Sequence, residues 1–296
     1  MTGTIDRPGI PPGRRIELPG RGTTFVREVR GPSGAPTVLL LHGWIATAAL
    51  NWRVVFEPLG RRYRVVALDH RGHGRGVRSR RRFRLIDCAD DAAALLRVLG
   101  IERAIAVGYS MGGPVAQLLW QRHRRRVAGL VLCATSRNFR GRSRAGIAEL
   151  VLPAVVPGLA LGSRLIPPPV RRRMLGDFLA VRIRNPEVLA WVRSEIGDVD
   201  LAAILEAGRD LRAFSSKEWI GSIDVPTAVV VTERDRVVSP LAQRKLAGAI
   251  PGATIHSVDG DHVACVSRPR EFTDALLEAC ESVVTRIAVR GRPLLP

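Results

Sequence analysis

Lysine is nearly missing from this chain. Only Lys217 and Lys245 stand among the 46 Lys+Arg, so the positive charge is almost all guanidinium, and against 27 Asp+Glu the 296 residues carry a formal net charge of +19. Aromatic residues are also scarce, at 5%. The basic runs Arg78 to Arg84, Arg122 to Arg126, Arg137 to Arg144 and Arg171 to Arg173 therefore offer few rings on which bases could stack, and a nucleic-acid partner is poorly provided for. Arginine abundant alongside Ala, Gly and Pro is also the mark of GC-rich coding, and most such runs are solvated faces. The functional expectation left to them is steering of anionic substrates near the active site, or peripheral contact with an anionic membrane.

Cysteine is limited to Cys88, Cys133, Cys265 and Cys280, with no C-x-x-C pair and no histidine at zinc spacing. That excludes a disulfide framework and a structural zinc site, and suggests small core residues in a reducing compartment. Met1 to Gly22 lacks the apolar run of a secretory signal, so a cytoplasmic location is expected. The one long apolar stretch, Ile147 to Ile166, is broken by Glu149, Pro153, Pro157 and Arg164, which argues against a membrane span and for helices lining an apolar pocket. With 46% hydrophobic and 25% charged residues, collagen-like, disordered and coiled-coil chains are excluded.

What is there alternates. The Gly-rich turn Pro19 to Gly22 lies between Arg15 to Leu18 and Thr24 to Val29, an expected hairpin. Thr37 to Leu41, Val65 to Leu68, Ala104 to Val107, Leu130 to Leu132 and Ala228 to Val231 are short apolar runs suited to strands buried on both faces. Helical periodicity over Ile86 to Leu99 and Pro114 to Arg122 separates them. The expected fold class is α/β: a mostly parallel central sheet flanked by helices. The alternation stops near Arg137 and resumes near Val225, which predicts a helical cap at 137–224 inserted into a core domain of 23–136 and 225–290, after a flexible tail at 1–22.

Gly108-Tyr109-Ser110-Met111-Gly112-Gly113 follows a predicted strand and opens a predicted helix, so Ser110 is expected on a sharp turn above the sheet edge. A serine hydroxyl is a poor nucleophile without a base, and the base needs an orienting carboxylate. His262 and Asp235 follow later strands in the matching order, with Glu233 as a second choice of acid. Two amides, of Met111 and of Trp44 in His42-Gly43-Trp44, are expected to hold an oxyanion. Trp44 and Tyr109 are expected at the substrate. His42, His70 and His73 are expected to stabilise turns rather than bind a metal.

Together with Asp69-His70-Arg71-Gly72-His73-Gly74, these elements resemble the α/β-hydrolase fold family, across nearly the whole chain apart from the cap. The resemblance is to its metal-free serine hydrolases: carboxylesterases, lipases, thioesterases, lactonases and cofactor-independent haloperoxidases. It implies a Ser110-Asp235-His262 triad, no cofactor and no metal, and cleavage of an ester or thioester with an apolar part through an acyl-enzyme. Acyl transfer or haloperoxidase-like activity on the same triad, or a binding protein keeping only the fold, are the alternatives. Members that open epoxides or remove halogen carry Asp at the position of Ser110. The sequence departs from the family at Thr232, where Gly is common, and at Gly76, where Ser is common.

Overall fold

A computed structural model describes residues 9–139, 186–196 and 200–289, with isolated positions at 162, 166–167, 170 and 173. The chain opens with strands β1 (Gly13–Leu18) and β2 (Gly22–Val29), continues through β3 (Thr37–Leu41), helices α1 (Ala48–Trp52) and α2 (Phe56–Gly60), then β4 (Arg64–Leu68) and α3 (Leu85–Val98). After β5 (Ala104–Tyr109), α4 (Gly112–Arg122) and β6 (Val127–Cys133), the next described helices are α5 (Pro186–Ile196) and α6 (Leu201–Ala213). The core resumes with β7 (Thr227–Thr232), α7 (Pro240–Ala247), β8 (Thr254–Val258), α8 (Ala264–Ser267) and α9 (Pro269–Val289).

The eight strands form one sheet in the order β1-β2-β4-β3-β5-β6-β7-β8. Pairs β1/β2 and β2/β4 are antiparallel and the other five are parallel. The apolar runs of the sequence are therefore strands with both faces covered. Leu39 and Leu41 pack with α3 and α4 on one face, while Val38 and Leu40 pack with α1, α2 and α9 on the other. On α9, Phe272, Leu276, Ala279, Val283 and Ile287 recur at helical spacing and are buried.

Chain order reverses at β3, which lies between β4 and β5. The carboxyl ends of β3 and β5 therefore flank the crevice where open α/β sheets gather their ligands. The expected tail at 1–22 requires correction. From Gly13 onward it is a sheet strand, paired from Gly13 opposite Arg27 to Leu18 opposite Gly22, and residues 1–8 lie outside the described ones. Of the expected cap, α5 and α6 are described; most of 140–185, including nearly all of Ile147 to Ile166, lies outside the described residues. Trp191 and Val192 of α5 and Ile204 of α6 pack on Ala49 of α1. Glu195 of α5 is gripped by Arg27 and Arg75 of the core, at 3.4 and 3.0 Å. Among the described residues no helix is long and apolar enough to cross a membrane.

Beneath the crevice, His42, His70 and His73 form a buried cluster of tilted rings, with the centroid of His42 4.3 Å from that of His70 and 5.5 Å from that of His73. His42 Nδ1 faces the Gly43 carbonyl at 2.8 Å, and its Nε2 accepts the His70 amide at 2.9 Å, so its proton sits on Nδ1. Burial pushes His42 down to about 4 and His73 down to about 3, and it holds His70 well below its ordinary range. His42 ties the loop after β3 to the loop after β4, and His73 Nδ1 faces the Arg71 carbonyl at 3.0 Å. Among the described residues no group of His, Cys, Asp and Glu is arranged to hold a metal ion.

In the unfolded chain such rings titrate near pH ~6.5, so below that value the unfolded state binds protons that the folded state refuses. Their contribution to stability is complete above the unfolded value and is lost as pH falls towards the folded ones. Asp69, raised by burial, acts in the opposite sense, so a comparison of variants is needed to isolate the imidazoles. Neither ring nitrogen of His70 has a hydrogen-bond partner. His70→Leu should therefore cost little at pH 7.5 and shrink the fall in melting temperature between pH 7.5 and 5. Equal falls in both proteins, measured by circular dichroism, would contradict this account.

Candidate active site

β5 is buried along its length and delivers Ser110 at the head of α4. Ser110 has φ of 50°, the left-handed region that costs a side chain about 1–2 kcal/mol. Three hydrogen bonds hold it there: its amide donates to the Cys133 carbonyl (2.9 Å), and its carbonyl accepts from Thr135 Oγ1 (2.8 Å) and the Gly113 amide (2.9 Å). The glycines around it are a steric necessity. A Cβ on Gly108 would stand 2.2 Å from the Gly112 carbonyl oxygen, and one on Gly112 would stand 2.0 Å from that of Leu41.

His262 lies beyond β8 and Asp235 beyond β7, and both come to Ser110. Ser110 Oγ is 3.0 Å from His262 Nε2, and His262 Nδ1 is 2.7 Å from Asp235 Oδ2. A carboxylate only accepts, so the imidazole proton sits on Nδ1, and the Nε2 lone pair faces the serine hydroxyl. Ser110 keeps 8% exposure, whereas the Asp235 side chain is wholly buried.

Asp235 is held from every side. Its Oδ1 accepts the amides of Val237 and Val238, both at 2.8 Å. Beside the imidazole, its Oδ2 accepts the Thr232 hydroxyl at 2.9 Å and lies 3.2 Å from Gln243 Nε2. Gln243 also donates to Thr232 Oγ1 and the Val238 carbonyl, both at 2.8 Å, and accepts the Thr232 amide at 3.1 Å. The alternative acid, Glu233, is turned away: it accepts from Arg244 and from Ser257 Oγ. Asp259 pairs with Arg234, and Asp261 accepts from Ser267 Oγ at 2.8 Å.

The loop after β3 forms the opposite wall. The Gly43 amide donates to Asn51 Oδ1 at 2.7 Å, and Asn51 Nδ2 reaches Cys265 Sγ at 3.4 Å. Asp69 joins this loop to the one after β4 by accepting the Ala48 and Arg75 amides at 2.8 and 2.9 Å. Gly76, a departure from the resembled family, follows from that turn: a Cβ there would lie 2.2 Å from the His70 carbonyl oxygen. Trp44 is 41% exposed, and its indole donates to the Ile204 carbonyl of α6 at 2.9 Å, bridging loop and helix. Met111, directly after the serine, has a fully buried side chain.

Tyr109 requires correction as a substrate contact. It is buried, its hydroxyl donates to the His262 carbonyl at 2.7 Å, and its ring packs edge-on against Trp52 and Phe272. It supports the histidine loop from behind. Sequence reading also missed Thr232 and Gln243 as partners of the acid. The only signal was Thr232 itself, a hydroxyl at a position where the resembled family commonly has none.

Residues 36–181 match the family model described as the alpha/beta hydrolase fold. Epoxide hydrolase B of Mycobacterium tuberculosis is 36% identical over 149 residues, 49% of this chain and 38% of that one. The enol-lactonase from Burkholderia xenovorans LB400 superposes with a TM-score of 0.73 at 23% identity, over 90% of this chain and 100% of that one. Est816, described as an N-acyl homoserine lactone degrading enzyme, superposes with a TM-score of 0.67 at 26% identity, over 90% and 99% of the two chains.

If the carboxylate network keeps the imidazole in register with the hydroxyl, the reactivity of Ser110 depends on residues that never touch it. Labelling by a fluorophosphonate, which reports an activated serine, should slow about tenfold in Thr232→Val and recover in Thr232→Ser, since one hydrogen bond to a charged group is worth about 1.5–3 kcal/mol. An unchanged labelling rate in Thr232→Val would show that the hydroxyl is not needed.

Proposed function

We propose that this protein, which belongs to the α/β-hydrolase fold family, is a serine hydrolase that cleaves a carboxylic ester or thioester through an acyl-enzyme. The observation that carries the reading is the hydrogen-bonded run from Ser110 through His262 to a buried Asp235. Est816, whose name ties it to a lactone, which is a cyclic ester, supports the same bond class. The partial likeness to an epoxide hydrolase does not extend the reading to epoxides. That reaction on the resembled scaffold uses Asp where this chain has Ser110.

In this mechanism His262 Nε2 takes the hydroxyl proton as Ser110 Oγ attacks the carbonyl carbon. Asp235 keeps the ring oriented and stabilises the imidazolium. The proton then passes to the departing alcohol or thiol, leaving an ester on Ser110. His262 next draws a proton from water, the hydroxide adds to the acyl carbon, and collapse releases the acid and restores the serine.

Each tetrahedral oxyanion is assigned to the amides of Met111 and Trp44. Met111 stands at the positive end of α4. The Gly43 amide is already committed to Asn51, so Trp44 supplies the next free donor on the loop after β3. The segment 137–224, inserted between β6 and β7, is proposed as a cap over this crevice. The contacts of α5 with α1, and of Trp44 with α6, support that placement.

Ser110→Ala should lower turnover of an aryl ester by at least about 10³-fold while leaving the melting temperature within a few degrees, because removing the nucleophile of a triad leaves only oxyanion and binding effects. A panel of esters and thioesters of increasing acyl length, run on both proteins, checks this. Turnover retained in the alanine variant would refute the assignment.

A further inference from the structure

Next to the triad acid lies a cavity of about 420 Å³ whose walls come from the residues after β6, the segment between α6 and β7, the turn after β7 and helix α7. It sits on the carboxyl edge of the sheet, alongside the groups that hold the site. Its first wall residue, Ser136, directly follows Thr135, which donates to the Ser110 carbonyl. Val237 and Val238, in another wall, donate their amides to Asp235.

Four cations, Arg137, Lys217, Arg236 and Lys245, line this cavity, and among the described residues no carboxylate does. Cations near them in sequence are matched: Arg234 with Asp259 and Arg244 with Glu233. Among the described residues, none of the four lining cations has a carboxylate at ion-pair distance. Gathering like charges in a concave site costs stability unless an anion is bound there, and it raises the local concentration of anions. Composition does not account for the cluster. GC-rich coding explains arginine anywhere on the surface, but both of the chain's lysines face this one cavity.

Apolar side chains share the lining: Val237 is 68% exposed and Leu241 is 61% exposed, and Phe139 also contributes. A ligand suited to these walls joins an anion of more than one charge to a carbon portion.

We infer that this cavity is a subsite for a phosphate-bearing group of the substrate, either on the thiol or alcohol released in the reaction or in a lipid headgroup. The inference rests on the hydrolase reading for its link to turnover, but binding at the cavity stands apart from it. Lys217 and Lys245 with Arg137 and Arg236 would hold the phosphate, while Val237 and Leu241 would meet the adjoining carbon chain.

The test uses the full chain and the double variant Lys217→Gln/Lys245→Gln. Arg80→Ala/Arg81→Ala serves as a control that removes the same charge from exposed positions elsewhere. Inorganic pyrophosphate is titrated by calorimetry. Vesicles of phosphatidylglycerol are compared with vesicles of phosphatidylcholine by co-sedimentation, and kcat/KM is measured for butyryl-coenzyme A and for a neutral butyryl thioester.

The expected result is pyrophosphate binding weakened about tenfold in the lysine variant and unchanged in the control, the scale of two exposed charge contacts removed together. The ratio of kcat/KM for the coenzyme A thioester to that for the neutral one should fall by the same factor. Vesicle binding lost in the lysine variant, without pyrophosphate binding, would assign the site to a lipid headgroup. If neither probe binds, or if both double variants behave alike, the inference is overturned. If pyrophosphate binding depends on the lysines but neither thioester is hydrolysed, the hydrolase reading fails and the anion site remains.

Discussion

A carboxylate shut away from water must find its hydrogen bonds inside the protein, and Asp235 finds five partners: two amides, a hydroxyl, a carboxamide and an imidazole. Four of them come from residues within eight positions along the chain, at the end of β7, on the turn after it and on α7. They leave the imidazole as the one partner brought from a distance. The negative charge is thereby stabilised and aimed, and the orientation of His262 follows from it. The Tyr109 hydroxyl holds the carbonyl of the same residue from the opposite side. Ring and backbone of His262 are thus anchored separately.

The serine depends on a different constraint. Its left-handed backbone is maintained by bonds to Cys133, Thr135 and Gly113, so strain at one residue is borne by β6 and α4 together. Both are fixed in place: β6 is a strand buried along its length, and α4 packs on β5 and β6. The position at the reversal of strand order then opens the space above it. His42, which accepts the His70 amide, and Asp69 fasten the two loops that flank this opening.

Charge is organised more selectively than its excess suggests. Many described arginines are neutralised in pairs, some of them structural, as where Arg71 grips the buried Asp91 with two bonds of 2.7 Å, or where Arg27 and Arg75 clasp Glu195 of α5. The cations around the cavity beside Asp235, which have no ion-pair partner among the described residues, stand out against that background.

The five core strands, the hairpin turn, helices α3 and α4, and the grouping of Ser110, Asp235 and His262 were legible in the sequence. The elements are encoded locally, as a run of apolar residues, a period, or a glycine spacing forced by close backbone approach, whereas the grouping of the three side chains was expected from their chain order and the family resemblance. The start of β1 was not legible, because an edge strand rich in arginine has no apolar signature. Nor was the role of Tyr109, whose burial depends on Trp52 and Phe272 from remote helices. Thr232 and Gln243 are eleven residues apart, on a strand and a helix, and only the packing of α7 against β7 points both at one carboxylate. Sequence alone determined which chemical groups were available and in what chain order. The tertiary structure decided which of them share a hydrogen bond, because that depends on distances set by packing between elements, and no local pattern records those distances.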